Sequence, residues 1–187
     1  LYYARELSLP WLAGEGSKVS TNQELWPTFE NIWPSNGPAN VGGEFIVMKA
    51  AGIPALNTII LLISGLTVTW AHHGLKEGKR NQLILGLTAT VLLCFIFVGF
   101  QAYEYSHAYN DLNLKMTSGM YGSTFYMLTG FHGFHVTLGA IMLTVILFRC
   151  IRGHFTNENH FGFEAVAWYW HFVDVVWLGL FVFVYWL

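Results

Sequence analysis

The chain has 187 residues, of which 54% are hydrophobic and only 11% are charged. Soluble domains carry about 25% charged residues, so this composition indicates a protein of the membrane. The formal net charge of −2 argues against nucleic-acid binding, because it provides no basic patch. The two cysteines, Cys94 and Cys150, form neither a disulfide framework nor a metal-ligand cluster.

Residues 1–52 differ in composition from the rest of the chain. They hold four of the five prolines and many glycines and asparagines. Their aromatic side chains are too numerous for a disordered linker. We therefore predict a long extramembrane loop that lies on the membrane surface or on a partner, preceded at residues 1–4 by the end of a helix. Because no initiator Met is present, we expect the chain to start partway through a longer protein.

Residues 53–187 contain four runs that are almost free of charge and long enough to cross a bilayer. Crossing requires about 20 apolar residues in a helix, because the hydrocarbon core offers no partner to an unpaired backbone group. We predict an all-α integral membrane protein with a four-helix transmembrane bundle. The predicted helices cover approximately residues 53–73, 82–105, 118–149 and 164–187.

The short loops predict the orientation, since Lys and Arg accumulate on the cytoplasmic side. Residues 72–82 contain three Lys or Arg, residues 149–164 contain two, and residues 104–117 contain one. We expect the first two segments to face inside. The N-terminal loop and the C-terminus then face outside.

Six ionisable side chains lie at or near membrane depth, where polar groups are costly and usually have a function. Two pairs are spaced three residues apart and share a helix face, and two acids lie near helix ends. The six are His132, His135, His171, Asp174, Glu104 and Glu164. We expect them to form hydrogen bonds between helices. A proton or ion path through Asp174 and Glu104 is the alternative.

Metal binding is a competing interpretation of the histidines, because imidazole is a good ligand for iron, copper and zinc. Their pairing hints at the histidine boxes of membrane di-iron enzymes. Depth argues against a common centre. At about 1.5 Å per residue, His135 lies roughly 20 Å from the inner end of its helix, whereas His72, His73, His154 and His160 lie at the inner face. The sequence therefore predicts no metal ligand, no haem and no catalytic residue in this chain.

The segment RCIRGHFTNENHFGFE predicts a phospholipid site at the inner end of the third helix. Arg149 and Arg152 are about one turn apart, and His154 and His160 follow. Arginine binds phosphate oxygens in a bidentate manner, and basic pockets between helix ends bind lipid headgroups. The alternative is that these side chains only determine the topology. Their apolar stems would then lie along the membrane while their charged ends reach the interface.

Four stretches of the sequence closely resemble subunit III of the haem-copper cytochrome c oxidases. They are PALNTIILLISGLTVTWAHHGLKEG, QAYEY, GMYGSTFYMLTGFHGFHVTLGAIML and HFGFEAVAWYWHFVDVVW, and the resemblance runs from about Gly52 to the C-terminus. Members usually have seven helices, in bundles of two and five with lipid between them. This chain would then hold the end of helix three, a long outer connection and helices four to seven. The family's carboxylate within its third helix has no counterpart here.

The resemblance implies a role in aerobic respiratory electron transport without chemistry in this chain. Haem and copper belong to subunits I and II, which reduce oxygen to water with electrons from cytochrome c and pump protons. Subunit III mainly contacts subunit I, sustains proton uptake and protects the enzyme from inactivation during turnover. The family's headgroup contacts map to Arg149, Arg152, His154 and His160, and Asn159 stands where many members have a second histidine.

The resemblance also implies where the protein works and with what. We expect no cofactor of its own, a bound phospholipid, and a place in the bacterial cytoplasmic membrane or the mitochondrial inner membrane. Two alternatives stay open: subunit III of a quinol oxidase of the same superfamily, and a stand-alone membrane metal or haem enzyme. The motif WYWHFVDVVW and the Trp-rich outer loop resemble the cytochrome c oxidases more than the quinol oxidases.

Overall fold

The computed structural model describes residues 24–27, 29, 33–38, 43, 45–48, 50–156 and 158–186. Four long helices run through these residues: α1 (Ile53–Lys76), α2 (Arg80–Asn110), α3 (Gly119–Ile151) and α4 (Phe161–Leu180), with a π-helical turn (Phe181–Trp186) that continues α4. No strand occurs in the described part of the chain. The predicted all-α class is therefore confirmed. The predicted helix end at residues 1–4 lies outside the described residues.

Each of the four helices is long and apolar enough to cross a membrane when α4 is counted with its π-helical turn. This confirms the expected set of four spans for the described residues. Within the chain alone, only 28–44% of the most apolar stretch of each span is buried. More than half of each of these stretches is therefore not buried by the described part of the chain.

The chain divides into two compact units. The first comprises the described part of residues 1–48 together with Ser106–Leu128. In it, the Tyr121 ring stacks on Phe45 with 5.5 Å between centroids and meets the edge of Trp33 at 5.7 Å. The Ile46 amide donates to the Leu112 carbonyl at 3.0 Å. The expected division between an outer loop up to residue 52 and a bundle from residue 53 stays a prediction.

The second unit comprises the described part of residues 49–105 and 129–187, and small residues allow its helices to approach closely. A Cβ added at Gly139 on α3 would lie 2.9 Å from ring atoms of Trp170 on α4. A Cβ at Gly86 on α2 would lie 2.9 Å from the Cβ of Ala71 on α1. Such contacts are typical of membrane helices, where small residues permit tight packing.

The turn between α1 and α2 and the end of α3 lie at one end of this unit. Gly78 occupies the turn with φ +69, a left-handed conformation that other residues rarely adopt. The Arg80 guanidinium at the start of α2 donates to the Ile151 carbonyl at the end of α3, at 2.7 Å. Residues 72–82 and 149–164 therefore occupy the same end, and we call these two segments the basic end.

Candidate functional site

The basic end presents exposed arginines beside the end of α3. The side chains of Arg149, Arg152 and His154 are exposed, and neither arginine forms an ion pair with a carboxylate among the described residues. The Arg149 guanidinium lies 4.7 Å from the centroid of the Phe155 ring, which fixes its position by a cation–π contact. The guanidinium N–H donors of Arg149 and Arg152 are available for a phosphate group.

Arg80 is a third arginine of this end, and its sequence position indicates only that it is one of the charges that set the orientation. Besides its bond to Ile151, it lines a cavity of about 220 Å³ together with Cys150, Gly153 and Phe155. The signal that could have found it is its place directly after the α1–α2 turn, since the end of α3 must return to the same side. Arg80 thus brings a further positive charge to the predicted lipid site.

The neighbouring Lys79 has a partner of its own. Its ammonium group donates to the Glu77 carboxylate, with 2.7 Å between Nζ and Oε2. This hydrogen bond, aided by the charge of Lys79, lowers the pKa of the Glu77 carboxyl below its ordinary value. The Glu77 carboxylate therefore offsets the formal charge of Lys79. The net positive charge of the turn rests on its other basic residues.

A second cluster at the basic end joins α1 to α4. The Oε1 atom of Glu164 lies 3.1 Å from His72 Nε2 and 3.3 Å from His160 Nε2, and the Lys76 ammonium is 3.9 Å away. His160 caps the start of α4 and Glu164 follows four residues later, so both side chains lie on one face. His72 reaches them from the last turns of α1. Among the described residues this is the one group of three that could hold a metal ion.

This cluster bears on two expectations from the sequence. His160 is expected in the lipid site, and in the structure its Nε2 faces Glu164 and its Nδ1 lies 3.3 Å from the Thr156 carbonyl oxygen. We therefore treat His160 as part of this cluster, and its expected contact with a lipid headgroup stays a prediction. Depth along the helices excludes one common centre for all the histidines. Because α4 packs beside α1, however, two histidines and one carboxylate come together at the basic end.

Three of the polar groups along the spans have hydrogen-bond partners. His171 Nε2 lies 3.2 Å from the Thr69 hydroxyl on α1. His135 Nδ1 bonds to the Phe131 carbonyl at 2.7 Å, and the His135 carbonyl accepts from the Tyr169 hydroxyl at 3.2 Å. At the other end, Tyr185 donates to Glu104 Oε1 at 2.7 Å.

His132 and Asp174 are different. Both are buried, and within the described residues His132 Nε2 and Asp174 Oδ1 have no hydrogen-bond partner. His132 instead lies against the Trp177 ring, with 5.1 Å between centroids. No hydrogen bond found in this part of the chain joins His132, His135, His171 and Asp174 to one another. His132 and Asp174 lie in the interior, whereas His135 and His171 are half-buried, and the hydrogen bonds expected for this set stay a prediction.

Comparison with known proteins identifies the family. Residues 24–187 match the family described as Cytochrome c oxidase subunit III. This chain belongs to the cytochrome c oxidase subunit III family. The resemblance inferred from the sequence motifs is thereby confirmed.

Named relatives agree with the family match. Proteins named Cytochrome c oxidase subunit 3 from Chondrus crispus and Prototheca wickerhamii are both 52% identical to this chain, over 167 and 166 residues. The protein of that name from Tetraodon nigroviridis is 50% identical over 160 residues. The alignments cover 86–88% of this chain but only 57–59% of the relatives. The chain thus spans less than three fifths of the length of the curated relatives it matches.

Proposed function

We propose that this chain acts as a non-catalytic subunit III of a proton-pumping cytochrome c oxidase. Its main contact would be subunit I, with subunit II as a further partner, and those two subunits would hold the haem and copper. The observation that carries the proposal is membership of the subunit III family at about half identity to proteins of that name. The names of these relatives favour cytochrome c over quinol as the electron donor.

The exposed apolar surface of the helices supports an accessory role. Less than half of the most apolar stretch of each span is buried within the chain. Apolar helices gain little free energy when they exchange contacts with lipid for contacts with each other. Shape and interhelical hydrogen bonds therefore determine which helices associate. A large uncovered helical surface is what a subunit needs to pack beside a catalytic partner. There it would steady the partner and shape the access of water and protons.

The basic end supports a bound phospholipid. Arg149 and Arg152 are exposed and unpaired with acids of the described residues, His154 is exposed beside them, and Arg80 lies at the same helix end. Guanidinium groups at a headgroup interface bind phosphate in a bidentate manner. The positive-inside rule would place this end on the cytoplasmic or matrix side. The membrane would be the bacterial cytoplasmic or mitochondrial inner membrane.

Removal and restoration of the subunit test this function. An oxidase stripped of this chain should keep its haem and copper spectra and turn over at first. It should take up protons more slowly near neutral or alkaline pH and lose activity progressively during turnover. Adding back the subunit with phospholipid should reverse both defects. A bleached haem band, or unaltered proton uptake and working lifetime, would contradict the accessory role. Turnover with a quinol but not with reduced cytochrome c would favour the quinol oxidase.

A further inference from the structure

We propose that His72, His160 and Glu164 bind a divalent transition-metal ion of the zinc class, which ties the end of α1 to the start of α4. This inference goes beyond the proposed function, since it concerns a metal held by this chain itself. It also departs from the sequence-based expectation that the chain has no metal ligand. The reasons lie in the distances, the hydrogen bonds and the water access of the three side chains.

The ligand atoms are close enough to share one ion. His72 Nε2 and His160 Nε2 lie 3.1 Å and 3.3 Å from Glu164 Oε1, and all three atoms lie within 4.8 Å of one another. A tetrahedral zinc ion with bonds of about 2.0–2.2 Å separates neighbouring ligand atoms by about 3.3–3.6 Å. The two carboxylate–imidazole distances already approach this spacing. The two imidazole nitrogens lie within 4.8 Å of each other, so small side-chain movements would complete the set.

The hydrogen bonds favour a cation between these atoms. His160 Nδ1 lies 3.3 Å from the Thr156 carbonyl oxygen, which can accept a hydrogen bond but cannot donate one. If Nδ1 carries the proton, the lone pair of Nε2 faces the carboxylate oxygen, so two acceptors meet without a hydrogen between them. A metal ion satisfies both. Zinc-binding histidines very commonly donate their other ring N–H to a carbonyl or carboxylate in this way.

Water can reach the site and complete the coordination. The side chains of His72 and Glu164 retain 22% and 35% of their exposure. A cavity of about 360 Å³ beside them is lined by Thr69, His72, Lys76, Glu164, Trp168 and His171. Two imidazoles, one carboxylate and a water molecule form a ligand set that zinc commonly takes. The cavity also provides a path by which a hydrated ion can enter.

Lys76 is the competitor for this position. Its ammonium group lies 3.9 Å from Glu164 Oε1, and its side chain is 52% exposed. A long exposed side chain of this kind can turn towards solvent, because exposed ion pairs are weak. We therefore expect Lys76→Met to raise the metal affinity. This direction distinguishes a metal site from an ion-pair network in which Lys76 is a necessary member.

Metal retention by the purified membrane complex that contains this chain tests the proposal. The complex is equilibrated with Zn²⁺, passed through gel filtration and analysed for zinc by mass spectrometry. The wild type should retain one more zinc per chain than His72→Gln or Glu164→Gln, and the affinity of each variant should fall at least about tenfold. His73→Gln and His154→Gln are matched controls, because both histidines are exposed and lie outside the cluster. Equal retention by wild type and cluster variants, or equal loss in the controls, overturns the proposal.

A second measurement needs no variant and so does not depend on assembly. Diethyl pyrocarbonate modifies unprotonated imidazole nitrogens, and peptide mass spectrometry locates the modified histidines. Zn²⁺ should protect His72 and His160 in the wild-type complex but leave His73 equally reactive. Identical modification of His72 and His160 with and without Zn²⁺ would overturn the metal site. Neither readout depends on turnover, so failure of this proposal is distinguishable from failure of the accessory role.

Discussion

The indole nitrogen of Trp170 donates a hydrogen bond to the hydroxyl of Ser64, with 3.0 Å between Nε1 and Oγ. Both residues are fully buried, and they lie 106 residues apart in the chain. The Ser64 hydroxyl also lies 2.7 Å from the Leu61 carbonyl, to which it donates. About two helical turns along from this pair, α4 and α1 repeat the arrangement with Trp177 and Thr58, at 3.0 Å between Nε1 and Oγ1. Two polar contacts thus set the register of α4 against α1.

Ser64→Ala should destabilise the packing of α1 against α4. The substitution removes the acceptor of a buried indole N–H, and leaving such a donor without a partner costs about 1–3 kcal/mol. Interhelical hydrogen bonds in membranes average about 0.6 kcal/mol, so we expect a value near 1 kcal/mol. Denaturation of the purified protein in mixed detergent micelles measures the free energy of unfolding. Ser123→Ala is the control, because the exposed Ser123 hydroxyl bonds only to the backbone of its own helix. An equal loss in both variants would mean that the contact with Trp170 contributes nothing.

Gly139→Ala should lower the free energy of unfolding and Gly133→Ala should raise it, although both residues lie on α3. A Cβ at Gly139 would lie 2.9 Å from the Trp170 ring, whereas a Cβ at Gly133 meets nothing within 4 Å. Overpacking of a tight contact costs about 1–3 kcal/mol, while alanine in an open helical position gains up to about 1 kcal/mol over glycine. The same unfolding measurement compares them. A neutral Gly139→Ala would show that Trp170 can move aside at little cost.

The sequence predicted the helices well because their signal is local. Runs of about 20 apolar residues, bounded by charged residues such as Arg80 and Arg152, define the membrane spans regardless of how the helices pack. The partners of single side chains depend on which helix faces which, and one sequence does not contain that information. The local spacing of His160 and Glu164 was visible, but their contact with His72 requires α4 to lie beside α1. For the same reason, the sequence does not predict that the Oδ1 atom of Asp174 lacks a hydrogen-bond partner among the described residues.

A cysteine placed at Lys79 should react only with a reagent added from the inside. Lys79 is exposed in the α1–α2 turn, and the positive-inside rule assigns this turn to the cytoplasmic or matrix side. The native Cys94 and Cys150 are buried, so their background reaction should be small. A cysteine at the exposed Asp111, in the loop between α2 and α3, is the opposite control and should react from outside. Labelling of the two positions from the reverse sides would invert the orientation.

Asp174→Asn should lower assembly modestly and turnover little. Asp174 Oδ1 has no hydrogen-bond partner among the described residues, and asparagine keeps the shape of the side chain without the carboxylate. The added amide group must find an acceptor in a tight site, which explains a small cost. The amount of assembled complex and the number of protons pumped per electron are the measurements. Asp111→Asn, at an exposed hydrogen bond between Asp111 Oδ2 and His107 Nδ1, serves as the control. Abolished pumping in a fully assembled complex would instead favour a direct proton relay through Asp174.

Replacing Arg149 and Arg152 together should release a phospholipid from the purified complex. The two exposed guanidinium groups lie at the end of α3 without a carboxylate partner in the described residues. A hydrogen bond to a charged group contributes about 1.5–3 kcal/mol, so loss of two such donors should weaken lipid retention at least tenfold. Mass spectrometry of lipid content after detergent washing measures the effect for Arg149→Ala with Arg152→Ala.

Two control variants separate specific headgroup binding from general positive charge. Replacing both arginines by lysine keeps the charge but removes the bidentate donors, and we expect an intermediate loss of lipid. Lys79→Ala removes a nearby positive charge that is already offset by Glu77, and we expect it to retain lipid as the wild type does. If the double lysine variant holds lipid as tightly as the wild type, charge alone accounts for binding. If the double alanine variant also retains its lipid, Arg149 and Arg152 serve only to orient the chain in the membrane.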